Sequence, residues 1–345
     1  MSLPKEQRVY RVGSGDTIKN IELKTEKLPS ITPDDVVVKV KAAALNYRDI
    51  LILTKKYAFG YKESVVPLSD FAGEVVAKGE SVSDFAIGDS VVGNFKIKHF
   101  SGVPKRDDDG LGGSIDGGLQ EYVTLPSSAL NKVSKTSDLA WEEMASLVCT
   151  GVTCWNALYG GGRTLLPGEV VLATGTGGVS LTGLSIAKKA GAVTVITSSS
   201  DKKLEEVKNK YGIDYGVNYK TNPEWGKEVK KLTGGADFII ENGGSSAFAQ
   251  SFEAVATGGI INAVGVIQPA KQEQMPDIAL LSLVKEASVR GYQVGSKELA
   301  EQLIRFTETK GLKIPIDKTF PFEKAPEAIE YLASGAHIGK VCISF

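Results

Sequence analysis

The chain has 345 residues and a formal net charge of −1, with 40 Lys and Arg against 41 Asp and Glu. That balance gives no global field for nucleic acid or an anionic membrane, and no apolar run approaches the roughly 18 residues of a membrane span. Three cysteines, Cys149, Cys154 and Cys342, exclude a disulfide framework. At about 100 to 200 residues per domain the length predicts two domains. The N-terminus is charged from Lys5 onward with no signal-like apolar stretch, so a soluble cytoplasmic protein is expected.

From Val9 to Leu125 the pattern is β-rich. Val36–Val40, Gly73–Ala77 and Asp89–Gly93 are β-branched runs separated by turn signals at Pro33-Asp34, Lys78-Gly79 and Gly88-Asp89. No helical pattern alternates with them, which predicts a barrel-like or sandwich-like lobe over residues 1–126. Lys96–Gly118 is a long polar loop rich in glycine, of a length that is usually functional or disordered.

After Pro126 the character changes. Asp138–Leu158 is helix-like, and from Val170 strands and helices alternate. The strand candidates are Val170–Thr174, Val193–Thr197, Tyr215–Asn218, Phe238–Glu241 and Ile260–Val264, with helical patterns at Ser180–Lys189, Asp201–Lys210, Pro223–Leu232 and Ser246–Ala256. This order predicts an α/β fold with a doubly wound parallel sheet of the Rossmann type over residues 127–295. Val289–Val294 reads as its outer strand and Lys297–Thr309 as a helix. The segment 296–345, ending in KVCISF, is expected to rejoin the first lobe.

Glu169–Ala192 holds the chemistry. A buried strand leads into Gly175, Thr176, Gly177, Gly178 and Val179, then into an amphipathic helix. Strand, glycine turn and helix N-terminus together make a diphosphate site, because the backbone can approach the anion and the helix offers free N–H groups. The third fingerprint position holds Ser180 where Gly or Ala is usual. At the end of the second strand, where Asp or Glu would select NAD, the chain has Ser198, Ser199 and Ser200 followed by Lys202 and Lys203. Hydroxyls and lysines accept a 2′-phosphate that a carboxylate would repel, which predicts NADP(H); the alternative is that these serines only cap the next helix. Tyr219, Asn242, Gly243, Gly265 and Val266, at or just beyond the other strand ends, complete the expected cofactor contacts.

Ala44–Asp49 (ALNYRD), Leu68–Gly73 (LSDFAG), Cys149–Leu158 (CTGVTCWNAL) and Gly175–Val179 (GTGGV) give the whole chain a resemblance to the medium-chain dehydrogenase/reductase superfamily. The closest branch is the zinc-free one, similar to quinone oxidoreductases and enoyl reductases. The resemblance implies a GroES-like catalytic lobe before the cofactor domain. Relatives with zinc hold it by Cys, His and Cys; matched residue by residue, this chain has Asn46, Ser69 and Cys149. The resemblance therefore implies no bound metal, since a catalytic zinc needs three protein ligands and an open position. The second, structural zinc of such relatives uses four Cys in the loop matching Lys96–Gly118, which has none.

Without a Lewis acid the hydride acceptor must already be reactive: a quinone, an α,β-unsaturated carbonyl, or a polarised ketone or aldehyde. The resemblance sets Asn46, Tyr47 and Asp49 at the floor of the substrate cleft, and puts Tyr57 where enoyl reductase relatives carry a proton-donating tyrosine. Thr153 is expected to touch the cofactor. Tyr57 as a plain loop aromatic and Asp49 as a helix cap are the bland alternatives. Three functions stay open: an NADPH-dependent reductase of activated carbonyls, a zinc-free alcohol dehydrogenase or ketone reductase, and an NADPH-binding structural or regulatory protein. By resemblance a homodimer is expected through the Val289–Val294 edge.

Overall fold

A computed structural model describes residues 3–105, 109–265 and 270–345. The chain forms two compact units, one of residues 1–152 with 295–345 and the other of residues 153–294.

The first unit opens with the antiparallel pair β1 (Glu6–Val12) and β2 (Ile21–Lys27). Next come β3 (Asp35–Ala44), helix α1 (Tyr47–Leu53), β4 (Asp70–Lys78), β5 (Ser90–Gly93), β6 (Tyr122–Pro126) and β7 (Leu130–Val133). β3 is the hub: it pairs antiparallel with β4 and with β6, and almost all of its DVVVKVKAAA run is buried. Phe71, Val75, Val91 and Leu130 pack against Val36, Val38 and Val40 to close one core of the unit. Helix α2 (Trp141–Ser146) runs into a π turn at Leu147–Gly151, and α3 (Val152–Tyr159) carries the chain into the second unit.

The unit boundary falls after Val152, not at Pro126. The expected boundary missed that β7 pairs with β5 and that α2 packs on β3 and β4, so the segment 127–152 belongs with the β-rich part. The single helix expected over Asp138–Leu158 is likewise broken, because Val152 N–H reaches back to Leu147 O and widens the spiral there.

The second unit contains β8 (Val170–Thr174), α4 (Gly178–Lys189), β9 (Val193–Ser198), α5 (Asp201–Tyr211), β10 (Tyr215–Asn218), α6 (Trp225–Thr233), β11 (Ala236–Glu241), α7 (Phe248–Ala254), β12 (Val255–Ala263), α8 (Ile278–Lys285) and β13 (Ser288–Gly291). All six strands are parallel in the order β10-β9-β8-β11-β12-β13. The order reverses between β8 and β11, which is the switch point where such sheets bind ligands. Every residue of β8 is buried, as a central parallel strand requires. Helix signals explain the segment ends: Ser200 Oγ accepts from Lys203 N–H at the start of α5, and Gly212 closes it at φ 66°.

β13 is the outer strand but stops at Gly291, short of the expected Val294. Beyond it the backbone turns inward, where Asn156 Nδ2 donates to Val294 O at 2.6 Å and Val294 sits at φ 52°. The chain then returns to the first unit with α9 (Lys297–Lys310), β14 (Ile316–Pro321), α10 (Ala325–Ala333) and β15 (Lys340–Ser344). β15 pairs antiparallel with β3, Cys342 opposite Ala44. Among the described residues no helix is long and apolar enough to cross a membrane.

Candidate active site

In the first unit, Asn46 sits between the end of β3 and the start of α1. Asp49, in the first turn of α1, folds back so that its Oδ2 accepts from Asn46 N–H at 2.7 Å, while its own N–H donates to Asn46 O at 2.9 Å. Asp49 is fully buried, and burial pushes its carboxyl up to about 6 against the opposing pull of Arg48 and the Asn46 N–H. Geometry thus gives Asp49 the helix-capping task, the bland alternative raised for it above.

Ser69 and Asp70 enter from the head of β4, behind Leu68, a buried residue held at φ 68°. A bulky side chain rarely adopts that backbone conformation, so the turn before Ser69 is strained. Ser69 Oγ donates to Asp70 Oδ1 at 2.7 Å, and Cys149 N–H, on the π turn, donates to the same oxygen at 3.1 Å. The neighbouring Thr150 Oγ1 donates to Asn46 Oδ1 at 3.1 Å. Asp70 is fully buried and its carboxyl is raised, first by that burial; Lys340, the Asn46 amide and the Ser69 hydroxyl pull the other way.

The sequence reading did not single out Lys340. Its ammonium donates to Leu45 O at 2.6 Å and Asn46 Oδ1 at 2.8 Å and lies 3.6 Å from Asp70 Oδ2. The only signal was a lysine heading an otherwise apolar terminal strand.

Asn46, Ser69 and Cys149 do come together, but as a network rather than a ligand set. Two of the three positions are spent on an amide and a hydroxyl already bonded to neighbours, and burial pushes the Cys149 thiol up to about 12, well away from the thiolate a metal needs. Among the described residues no group of three His, Cys, Asp or Glu is disposed to hold a metal ion. These residues do not fit zinc.

The remaining expected residues differ in setting. Tyr47 is 42% exposed on the first turn of α1. Tyr57 is half-buried against the core of the first unit, with the Arg48 guanidinium 5.0 Å from its ring centroid and Phe59 edge-on at 5.4 Å. Arg48 also lies 4.8 Å from the Phe95 ring and donates to Leu111 O at 2.8 Å, which makes it a strut between loops.

In the second unit the glycine turn has the properties a dinucleotide phosphate needs. Gly175 sits at φ 81° with nothing within 4 Å of where a Cβ would project, and α4 starts at Gly177-Gly178 with no side-chain cap. The first N–H groups of α4 are left for an anion, so these residues fit a dinucleotide. Ser180, the irregular third position, has a reason. Its hydroxyl donates to Thr174 O at 2.7 Å and accepts from Asn242 Nδ2 at 3.0 Å, tying α4 to the ends of β8 and β11. Close helix–sheet approach is supplied instead by Gly183, where a Cβ would lie 2.4 Å from Ile240 Cδ1.

Beneath that turn lies Glu241, a second residue the sequence reading missed. It is fully buried and accepts from Thr174 Oγ1 at 2.9 Å, Ser251 Oγ at 2.5 Å and Gly243 N–H at 2.7 Å. Burial raises its carboxyl in spite of these donors. Of the expected cofactor residues, Gly243 and Asn242 belong to this network. Ser199 and Lys203 are partly exposed, Tyr219 is exposed, and Ser198 and Thr153 are buried. Gly265 packs where a Cβ would lie 1.9 Å from Asn242 O, and Val266 lies outside the described residues.

Two family models match the chain. One is the alcohol dehydrogenase GroES-like domain over residues 32–135, and the other is the zinc-binding dehydrogenase over residues 178–309. A Schizosaccharomyces pombe protein described as zinc-type alcohol dehydrogenase-like is 40% identical over 321 residues, 91% of each chain. The chain belongs to the medium-chain dehydrogenase/reductase superfamily. Within it, the acryloyl-coenzyme A reductase of Sulfurisphaera tokodaii is 28% identical over 334 residues, 93% of this chain and 96% of that one. A solved structure from Sinorhizobium meliloti, described as a candidate alcohol dehydrogenase, superposes with a TM-score of 0.90 at 34% identity over the full length of both chains. The superfamily's GroES-like and Rossmann-like parts are those expected from the sequence, and the chain is an alcohol dehydrogenase-like oxidoreductase.

Proposed function

We propose that this oxidoreductase reduces activated carbonyl compounds, enones or quinones above all, with NADPH and without zinc. The observation that carries this reading is the donor set at the former ligand positions: Asn46 Oδ1 accepts from Lys340 and Thr150, Ser69 is bonded to Asp70, and burial pushes the Cys149 thiol up, away from the thiolate. Bound NADPH would supply the hydride. The residues of the chain would bind and orient: α4 and the Gly175–Gly178 turn take the diphosphate, Ser199 and Lys203 the 2′-phosphate, and Asn46 Nδ2 donates to the acceptor's carbonyl oxygen. Such a donor favours the charge that develops on that oxygen. Tyr57 is the proposed source of the proton.

A relative described as acryloyl-coenzyme A reductase supports the conjugated-carbonyl reading, and relatives described as alcohol dehydrogenases support simple ketones as the second. Turnover of an enone, a quinone and an isolated ketone, each with NADPH and NADH and with metal analysis of the same preparation, tests both. Tighter NADH than NADPH use sinks the cofactor choice. One equivalent of retained zinc sinks the rest. Cofactor binding with no turnover on any acceptor favours a regulatory protein.

We also propose a homodimer through β13. That strand pairs with β12 alone among the described strands, and on the adjacent α8 Leu280, Leu283 and Val284 are 54, 76 and 66% exposed while Ile278 and Leu281 pack inward. An open edge beside exposed apolar side chains is what a two-fold contact covers. Light scattering on Leu283→Glu tests it: a mass equal to that of the unaltered chain counts against this surface.

A further inference from the structure

Lys340 has no part in the family resemblance drawn above, yet it is 3% exposed at the centre of the polar network. Strand β15 brings it there, since the pairing of Cys342 with Ala44 puts the head of β15 beside Leu45 and Asn46. An ammonium has three N–H groups and no lone pair. It donates to Leu45 O at 2.6 Å and Asn46 Oδ1 at 2.8 Å, and forms an ion pair with Asp70 Oδ2 at 3.6 Å. A buried cation is costly unless paired, and the fully buried Asp70 carboxylate is the counter-charge.

The consequence is for the amide. Because Lys340 can only donate, the Asn46 atom facing it is oxygen, and Thr150 Oγ1 donates to the same atom. Two donors occupy the two lone pairs of Oδ1. The amide cannot turn over without setting its N–H groups against an ammonium. Nδ2 is buried and makes no direct hydrogen bond of its own; one of its two N–H groups lies toward Asp70, whose carboxyl the amide pulls down, and the other is left with capacity to donate. A carbonyl oxygen bonded to a cation also withdraws charge from the amide nitrogen and strengthens its N–H groups as donors.

We propose that Lys340 is a positioning residue: it locks the Asn46 amide with oxygen inward and relays its positive charge through the amide to the N–H that meets the substrate's carbonyl oxygen. This rests on the carbonyl-reductase reading above. The protein thereby obtains an electrophile from a lysine without the ammonium touching the substrate.

The test uses the full chain in four altered forms: Lys340→Met, Lys340→Met with Asp70→Asn, Asn46→Ala, and the paired variant with Asn46→Ala. The single lysine variant strands a buried carboxylate, so the paired variant, which removes both charges, carries the comparison. It is expected to bind NADPH as the unaltered chain does in a fluorescence titration. Its kcat on 2-cyclohexen-1-one is expected to fall about 10- to 100-fold, part of the loss typical of an oxyanion donor, with KM changed little. Adding Asn46→Ala to it is expected to cost less than the same change costs in the unaltered chain, because both act through one bond. A folded paired variant with kcat within about twofold of the unaltered chain, or full additivity with Asn46→Ala, overturns the assignment. If the unaltered chain turns over no acceptor, the function reading fails and the amide decides for Lys340. With 15N-asparagine labelling, distinct shifts for the two Asn46 amide hydrogens that collapse toward free-asparagine values in the paired variant uphold it; unchanged signals overturn it.

Discussion

Asp49→Asn is expected to make this protein more stable at neutral pH and no more stable in acid. Asp49 is fully buried, and burial raises its carboxyl from the usual 3.8 to about 6, with Arg48, the Asn46 N–H and Lys340 opposing and Asp70 adding to the rise. The group therefore keeps its proton in the folded chain over a pH range where the unfolded chain has lost it. Stability from this group is fully present below about pH 4, falls as pH rises toward 6, and is level above that. A shift of about two pKa units corresponds to about 3 kcal/mol at 1.36 kcal/mol per unit. Asparagine resembles the protonated carboxyl and can still accept from Asn46 N–H, so the cap survives the change. Urea unfolding of both proteins between pH 4.5 and 8 measures the difference, which cancels groups that titrate alike in both, such as Glu241. Hydrogen exchange of the β3 and β4 amides follows the first unit alone, because two units need not unfold in one step. The expected gain grows from near zero at pH 4.5 to about 2–3 kcal/mol at pH 7. A flat difference, or one that shrinks with rising pH, refutes the reasoning.

Ser180→Ala removes a hydroxyl that both donates to Thr174 O and accepts from Asn242, so a loss of about 1–3 kcal/mol in the second unit is expected by denaturation, with weaker NADPH binding by titration. Gly265→Ala would put a Cβ within 1.9 Å of a backbone oxygen, Asn242 O; the strand end must shift, and a rise of about tenfold or more in the NADPH dissociation constant is expected. Ser199→Asp with Lys203→Glu is expected to reverse the ratio of kcat/KM for NADPH over NADH, read directly from initial rates. Cys149, its thiol pushed up to about 12, is expected to react with iodoacetamide far more slowly at pH 8 than free cysteine, as peptide mass spectrometry would show.

The second unit was legible because its strands are locally complete signals. VVLAT and FIIE are continuous apolar runs bounded by turns, and they became β8 and most of β11 within a residue or two. The glycine turn was legible for the same reason. The chemistry of the first unit was not, because it is assembled across distance. Asn46 meets Lys340 only through the register of β15 on β3, a separation of 294 residues that no window of sequence contains. Helix α1 is seven residues long, too short for a periodic pattern, so the sequence left Asp49 open between a carboxylate at the cleft floor and a helix cap. The π turn left no mark in composition, yet it frees Cys149 N–H to reach Asp70. Ser180 looked like a departure from a fingerprint until Asn242, 62 residues on, supplied the partner.

The first unit is interrupted in sequence by the second, and this bears on how the chain is made. Residues 153–294 form a body whose contacts are all available once that stretch has left the ribosome. The earlier half of the first unit has no such independence, since β6 covers β3 only over Asp35–Lys39 and the Ala42–Ala44 end of that edge stays open until β15 is translated and docks. Until then Asp70 is a carboxylate without its lysine and Asn46 an amide free to turn. β15, made after the whole of the second unit, is therefore the strand that closes the Asn46–Asp70–Lys340 network, and a chain cut off before residue 340 would hold a complete second unit and a first unit whose polar network stays open.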